Sequence, residues 1–530
     1  MTPRVPLNRR PQTDEPKHFP RLKVRAPKPS LIVPADVRPP DIQSSAGRGA
    51  FVNPVLNSGR GRDHGDPFVL EHRGTYFLYH TGRDGVHLYT SGDLVSWRHE
   101  GLALEPGPAG HWAQIDFWAP EVIARDGVFY MYVSATVQRV DRGKIRGDDK
   151  KRRLGLAKAL SPRGPFMWAE EPLVGWEWSI DGHPFQDDDG SLWMFYNVRT
   201  EATRFPDGTV GCGNVVGPMS ALDRVERQQT RVAYPSRRWE GNRQGSWYWN
   251  EGPFVLKRRG TYYQMYSGGF YGDETYGLSY ATAPAPTGPW VKQSPKPILK
   301  SSRHILGPGH HCIVVGPDGV TPYAVYHGYL PLQRGRKVHL DRFFWAGDRL
   351  FIEGPTHRSQ PRPHGPVFDP AVPHYSLSAW ADGAEVRVGG HTLELPAGGA
   401  HLRVTRRGLE LEVRLDGILK FRVMSDDDEI GGWLTAPVKT SWLDDDVLYT
   451  LEPGERRGWV WGGRGDLEVA LAVKGSAVVR AGGQTRAVHS AGRFELVRMW
   501  VEGGAECLEV EAVGAGAEVA DVVMTARGSG

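Results

Sequence analysis

Residues 246–269 read SWYWNEGPFVLKRRGTYYQMYSGG, and this stretch decides how the chain is understood. Three aromatics, Trp247, Tyr248 and Trp249, lead to one acid, Glu251, and then to the apolar run Pro253–Leu256. A basic turn ends on Gly260, and a second run follows, rich in Tyr and alternating in character. Two short β-prone runs about a glycine turn predict a hairpin. The acid at its start has no basic residue immediately beside it.

The arrangement recurs. GDPFVLEHRGTYFLYH, WAPEVIARDGVFYMYV, DGHPFQDDDGSLWMFY and HHCIVVGPDGVTPYAVY repeat the order of apolar strand, turn glycine and aromatic strand. The turn glycines are Gly74, Gly127, Gly190, Gly260 and Gly319, spaced by 53, 63, 70 and 59 residues. Further segments such as LYTSGDLVSW, GLAKALSPRGPF and LSYATAPAPTGPW each end in a turn and an aromatic. Repeats of this length, each made of a few strands, predict the blades of an all-β, five-bladed β-propeller. The 66 Gly and 41 Pro suit many short strands joined by turns.

With 530 residues, two or three domains are expected. The expected boundaries are a basic, proline-rich N-terminal arm over residues 1–45, a propeller over 46–367 and a β-sandwich over 368–530. The net charge of +4 gives no global reason to expect nucleic acid or membrane as partners. Cys212, Cys312 and Cys507 form neither a disulfide framework nor zinc-ligand spacing, which suits a reducing compartment. The arm lacks the apolar core of a signal peptide, so the expectation is a cytoplasmic protein, or a secreted one if the true start differs. Oligomeric state is not readable. The charged run VDRGKIRGDDKKRRLG lacks aromatics and reads as an exposed hairpin loop.

In a propeller the leading strand of each blade lines the channel, so equivalent strand starts converge. Asp181, Glu251, Trp118 and His310 lie nine residues before their turn glycines, and Asp66 lies eight before Gly74. Taken singly, each acid is more often a turn or cap residue than a catalyst. Brought together, two carboxylates facing each other across a sugar are what glycosidic cleavage needs. A third carboxylate raises the pKa of its neighbour, because like charges in one confined site resist joint ionisation.

Residues 50–365 resemble glycoside hydrolase family 43. The motifs that carry the resemblance are GDPFV, FWAPEV, SIDGHPFQDDDG, NEGPF and GPGHH, in family order. The resemblance implies Asp66 as the base that activates water, Glu251 as the acid that protonates the leaving oxygen, and Asp181 as the carboxylate that tunes and orients that acid. It implies a carbohydrate substrate and no required cofactor. A structural calcium in the channel, approached by His310 through water, is the one ion it allows, and a plain structural histidine is the equal alternative. Two departures stand out: Gly65 before Asp66 where Ala is common, and Gly182 after Asp181 where Pro is common. Both are expected to loosen the backbone.

Trp118 is the expected sugar-stacking face, ahead of Trp247 and Trp249. His64 is expected to flank the sugar, and Arg336 and Arg342 to reach it, with surface charges as the alternative for both. Asp63 competes with Asp66 but reads as a loop acid, and Asp187, Asp188 and Asp189 read as a solvated turn. The expected activity is inverting removal of an α-L-arabinofuranosyl or β-D-xylosyl residue. The alternatives are a family member acting on β-galactan and a propeller that binds sugar without cutting it. A retaining fructan-active propeller would carry an NDPNG-like motif, and the sequence has none.

From about residue 370, stretches such as HLRVTRRGLELEVRLDG and FELVRMWVEGGAECLEVEAV alternate apolar and polar residues, which predicts the sandwich. Three roles are open to it: binding carbohydrate, closing over the funnel, or stabilising the fold. The acid runs in SDDDEIGG and SWLDDDVLYT read as solvated loops.

Overall fold

The computed structural model describes residues 49–57, 63–199, 211–317, 321–363, 374–407, 410–424, 430–440, 443–460, 466–501 and 507–527. The expected arm, the 367/368 boundary and the acids Asp426–Asp428 lie outside these residues. Strand makes up 63% of the structure and helix 2%, so the fold is all-β.

Strands Phe68–His72, Thr75–His80, Val86–Ser91 and Arg98–Leu104 form one antiparallel meander. Ile115–Arg125, Val128–Thr136, Arg153–Ala159 and Met167–Trp168 form the next. Two more are led by Ser179–Gln186 and Tyr248–Arg258. They fuse into one nine-stranded sheet because Gly211 and Cys212 pair in parallel with Tyr248 and Trp249. The last is led by Leu306–Val315. The five leading strands touch in cyclic order, with Phe68–His72 against both Ile115–Arg125 and Leu306–Val315. The apolar packing closes the same circle. One cluster joins Tyr79 to Phe117, a second joins Tyr132 to Tyr196, a third joins Phe195 to Tyr266, and a fourth joins Met265, Tyr326 and Leu78.

Backbone sterics explain how the leading strands begin and end. Arg73–Gly74, Asp126–Gly127 and Arg259–Gly260 are two-residue turns with both φ positive, 53° and 74°, 52° and 73°, 50° and 74°. This is the type I′ geometry whose twist matches that of the flanking strands. At the opposite end, a left-handed residue lies in or just before each leading strand: Asp66, Ala119, Asp181, Gly252 and His310, with φ between 47° and 57°, and Asp116 and Gly307 add a second to two of the strands. The ladders slip there, between Ile180 and His183, Glu251 and Phe254, and Gly309 and His311 among others. Such bulges re-aim a side chain, and a left-handed residue with a Cβ costs about 1–2 kcal/mol.

Equal offsets from the turn glycine are therefore not equal positions. Asp66, Asp181 and His310 are themselves left-handed, whereas Trp118 and Glu251 precede the left-handed residue by one. Between Gln186 and Leu192 the connection runs through residues 187–191 instead of two, which displaces Gly190.

The C-terminal region forms a six-stranded sheet from His374–Val388 to Ile430–Thr440 and a five-stranded sheet from Leu443–Leu451 to Cys507–Arg527. Each has its own apolar cluster. Several of its contacts fall on the turn ends of the hairpins, and others run along the strand Lys337–Ala346. Arg73 pairs with Asp382, Arg125 with Asp416 at 3.8 Å, Arg414 with Asp188 at 3.4 Å, and Arg258 and Arg259 with Asp521. These contacts lie at the end of the hairpins opposite the strand starts.

Two expectations change. Asp187 is buried and accepts from Lys257 and the Tyr262 hydroxyl, so only part of the acidic triplet is a solvated turn. The charged run does form an exposed hairpin, Gln138–Asp141 with Lys144–Gly147, but it delivers Arg152 to a fully buried place.

Candidate active site

Asp66, just before its strand, and Asp181, Glu251 and His310, at bulges, gather at one end of the ring of leading strands, each with less than a tenth of its surface exposed. Asp66 is the most heavily held. Thr81 Oγ1 donates to its Oδ2 at 2.5 Å and Arg336 Nη1 to its Oδ1 at 2.8 Å. His310 Nδ1 lies 3.4 Å and His327 Nδ1 3.2 Å from Oδ1. Burial by itself raises a carboxylate's pKa, but Arg336 first and His310 next outweigh it and hold Asp66 well below the usual range, while His327 Nδ1 accepts from the Asp66 backbone N–H at 3.1 Å.

Glu251 has the opposite surroundings. Burial, with the charge of Asp66 added, pushes it up to about 7, against the opposing pull of the Tyr276 hydroxyl and of Arg336 and Arg199. Tyr276 donates to Glu251 Oε1 at 2.8 Å, and its ring stacks on His327 with centroids 5.5 Å apart. Asp181 is likewise raised by burial and by the charges of Glu251 and Asp66, with His310 opposing. Its Oδ2 accepts from the backbone N–H of Gly252 at 3.1 Å, so the third carboxylate is tied to the residue directly after the acid.

Arg336 owes its place to two neighbours. Asp63 grips it through Nε at 3.0 Å, Nη2 at 2.7 Å and the backbone N–H at 2.7 Å. Asp63 is therefore not an idle loop acid. Gly65 leaves the room: a Cβ there would fall 1.7 Å from Arg336 Cζ. A Cβ at Gly182 would meet Leu154 at 2.6 Å. Both departures from the family pattern are close-packing sites, not loosened backbone.

Other expected site residues lie elsewhere. Arg342 is six residues beyond Arg336 along an extended strand, roughly 20 Å away, and pairs with Glu468 of the C-terminal region. His64 is 1% exposed, with Nδ1 3.2 Å from His80 Nε2 and its ring edge-on to Tyr89, so no face is open to a sugar. Trp118 lies beside the bulge at Ala119, with the Arg152 guanidinium 3.2 Å from its ring centroid. One face of the indole is thus covered.

Deeper in the ring, His183 Nδ1 meets Glu121 Oε2 at 2.7 Å, while Val255 N–H donates to His183 Nε2 at 3.0 Å. The Nδ1 proton therefore points to Glu121. Counting back along leading strands misses Thr81, Tyr276 and His327, because they come from second and third strands or the loops beside them, whereas Arg336, expected at the sugar, lies here against Asp66.

The donor set does not fit a directly held calcium, which takes six to eight oxygens. His310 presents one nitrogen, already facing Asp66 and Asp181, and among the described residues no group of three or more His, Cys, Asp or Glu side chains gathers as ligands.

Residues 51–351 match the family described as Glycosyl hydrolases family 43. The chain belongs to glycoside hydrolase family 43. Among family relatives, a β-D-galactofuranosidase of Aspergillus niger is 36% identical over 182 residues, covering 33% of this chain but only 46% of that protein. An extracellular exo-α-(1→5)-L-arabinofuranosidase of Cellvibrio japonicus is 25% identical over 322 residues, covering 53% of this chain and 84% of that one. A solved thermostable family-43 glycoside hydrolase is 37% identical, with a TM-score of 0.53, over 59% of this chain and 99% of its own. The family match ends at residue 351, so it leaves the C-terminal region outside.

Proposed function

We propose that the five meanders are the blades of a propeller, that the C-terminal region is a β-sandwich backing it, and that the mouth is an inverting glycosidase site. The observation that carries this reading is the opposed state of two carboxylates in one mouth: Asp66 kept ionised by Arg336, Glu251 kept protonated by burial. Asp66 takes a proton from water as the water attacks the anomeric carbon. Glu251 gives its proton to the departing glycosidic oxygen, and Asp181, bonded to Gly252, keeps that acid in place. The bond to the leaving oxygen breaks as the bond to water forms, on opposite faces of the sugar, so the configuration inverts.

The glycone is a pentosyl residue, α-L-arabinofuranosyl or β-D-xylosyl, taken from an oligo- or polysaccharide. Relatives named as arabinofuranosidases and as xylosidase/arabinosidases support this choice. The Aspergillus niger relative, a β-D-galactofuranosidase, favours a hexofuranosyl group as the second reading. The test is hydrolysis of aryl α-L-arabinofuranoside, β-D-xyloside, β-D-galactofuranoside and β-D-galactopyranoside by wild type and Asp66→Asn. Turnover of one glycone that falls at least roughly 1,000-fold in Asp66→Asn is expected. A wild type silent on every glycoside contradicts the reading.

A further inference from the structure

Beside the carboxylates, the strand ends on the Glu251 side carry side chains in unbroken contact. Trp247 and Trp249 lead the strand Tyr248–Arg258, with ring centroids 5.5 Å apart. Trp249 meets Phe270 at 5.3 Å, and Phe270 meets Tyr271 at 5.0 Å. Tyr271 lies 5.3 Å from the guanidinium of Arg336, the group that holds Asp66. In the other direction, the Arg199 guanidinium is 5.5 Å from Trp247 and 4.2 Å from Trp178, and bonds Asp149 at 3.2 Å. The six residues from Arg199 to Tyr271 and Trp178 are each half-buried, neither core nor free surface.

We infer that this strip binds the leaving-group side of the substrate, and that its occupant is a neutral oligosaccharide chain. The inference rests on the glycosidase reading above. Partly open aromatic faces suit the C–H faces of sugar rings. The strip adjoins the chemistry at two points: Trp249, midway along it, stands two residues before Glu251, which would protonate the leaving oxygen, and Tyr271, at one end, backs Arg336. Its cations already face carboxylates, Arg336 with Asp63 and Asp66, Arg199 with Asp149, and nearby Arg243 with Glu274. A charge-compensated strip attracts a uronate no better than it attracts a neutral sugar, so ring stacking decides.

The experiment compares wild type, Trp249→Ala, Trp249→Phe, Arg199→Ala and Arg199→Lys on neutral α-1,5-arabino- and β-1,4-xylo-oligosaccharides of two to five units. A uronate-bearing xylo-oligosaccharide and the aryl glycoside of the same glycone run alongside. Wild-type kcat/KM is expected to rise about ten-fold or more with length, chiefly through KM. Trp249→Ala and Arg199→Ala are expected to flatten the rise to about three-fold or less, and Trp249→Phe to restore most of it. Where an alanine variant fails to fold, the Phe and Lys variants carry the comparison, with a partial flattening expected. Aryl hydrolysis with no length dependence, or with one that the variants leave intact, overturns the strip and leaves the glycosidase reading standing. Preference for the uronate-bearing chain overturns the neutral occupant. Silence of wild type on every substrate overturns both readings.

Discussion

Arg336 Nη1 donates to Asp66 Oδ1 at 2.8 Å, and the room for that guanidinium exists because residue 65 has no side chain. Arg336→Ala removes the main charge holding Asp66 ionised, and Gly65→Ala drives the guanidinium away from it. Both variants should lose roughly 100-fold in kcat/KM, about 2–3 kcal/mol. Both should also bring an acidic limb into the pH profile above pH 4, where wild type has none. Loss of rate with no such limb would place Arg336 outside the base's electrostatics.

The wild-type profile should fall on the alkaline side. Glu251 must be protonated to act and is pushed up to about 7, whereas Asp66, held well below the carboxylate range, stays ionised throughout. The expected kcat/KM is therefore flat from about pH 5 to 6 and falls above about 7. A profile that rises through pH 7 would contradict the assignment of Glu251 as acid.

Tyr276→Phe tests the tuning of that acid. The Tyr276 hydroxyl donates to Glu251 Oε1, which favours the ionised form. Removing it should move the alkaline limb upward by about half to one pH unit. A downward shift would count against this account.

Stability should report the same group. In the unfolded chain Glu251 ionises near its ordinary 4.5, but in the folded chain only near 7. Below pH 4.5 both states hold the proton; as pH rises from 4.5 to 7 the unfolded state gains from ionising first, and stability falls. Glu251→Gln removes this loss. Its stability relative to wild type should therefore be greater at pH 8 than at pH 4.5, by on the order of 3 kcal/mol at most, measured by urea unfolding at the two pH values.

At the opposite end of the molecule, Asp521 faces the buried guanidinium of Arg258 and accepts from the Gly347 N–H. Asp521→Ala leaves a buried charge without this partner and should cost about 3–5 kcal/mol in urea unfolding. At a temperature where the protein stays folded, kcat/KM should remain within about two-fold, because the contact lies away from the mouth. A large loss of activity without loss of stability would place the C-terminal region in catalysis.

Much of this was readable in the chain. The hairpin at Glu251, its recurrence and the acids at strand starts follow from local rules, because turn glycines and β-prone runs act over a few residues. Asp66, Asp181 and Glu251 stand out as candidates because all three lie near the starts of leading strands. What escaped depends on distant packing. Asp63 looks like a loop acid until Arg336, 273 residues away, is set against it. Gly65 looks like looseness until the same guanidinium fills its space. His64 looks like a rim residue, but its ring turns inward to His80 and Tyr89. Arg342 sits close to Arg336 in sequence, yet strand geometry carries it away to Glu468. The offset rule blurred because loop length changes where the turn glycine falls, as at Gly190.

The most direct test of the central claim compares wild type with Glu251→Gln on aryl glycosides of the preferred glycone, graded by the acidity of the leaving phenol. If Glu251 protonates the leaving oxygen, the variant loses roughly 1,000-fold on oligosaccharides and poor phenols but only about ten-fold on the most acidic phenol. An equal loss across the whole series would contradict Glu251 as the acid.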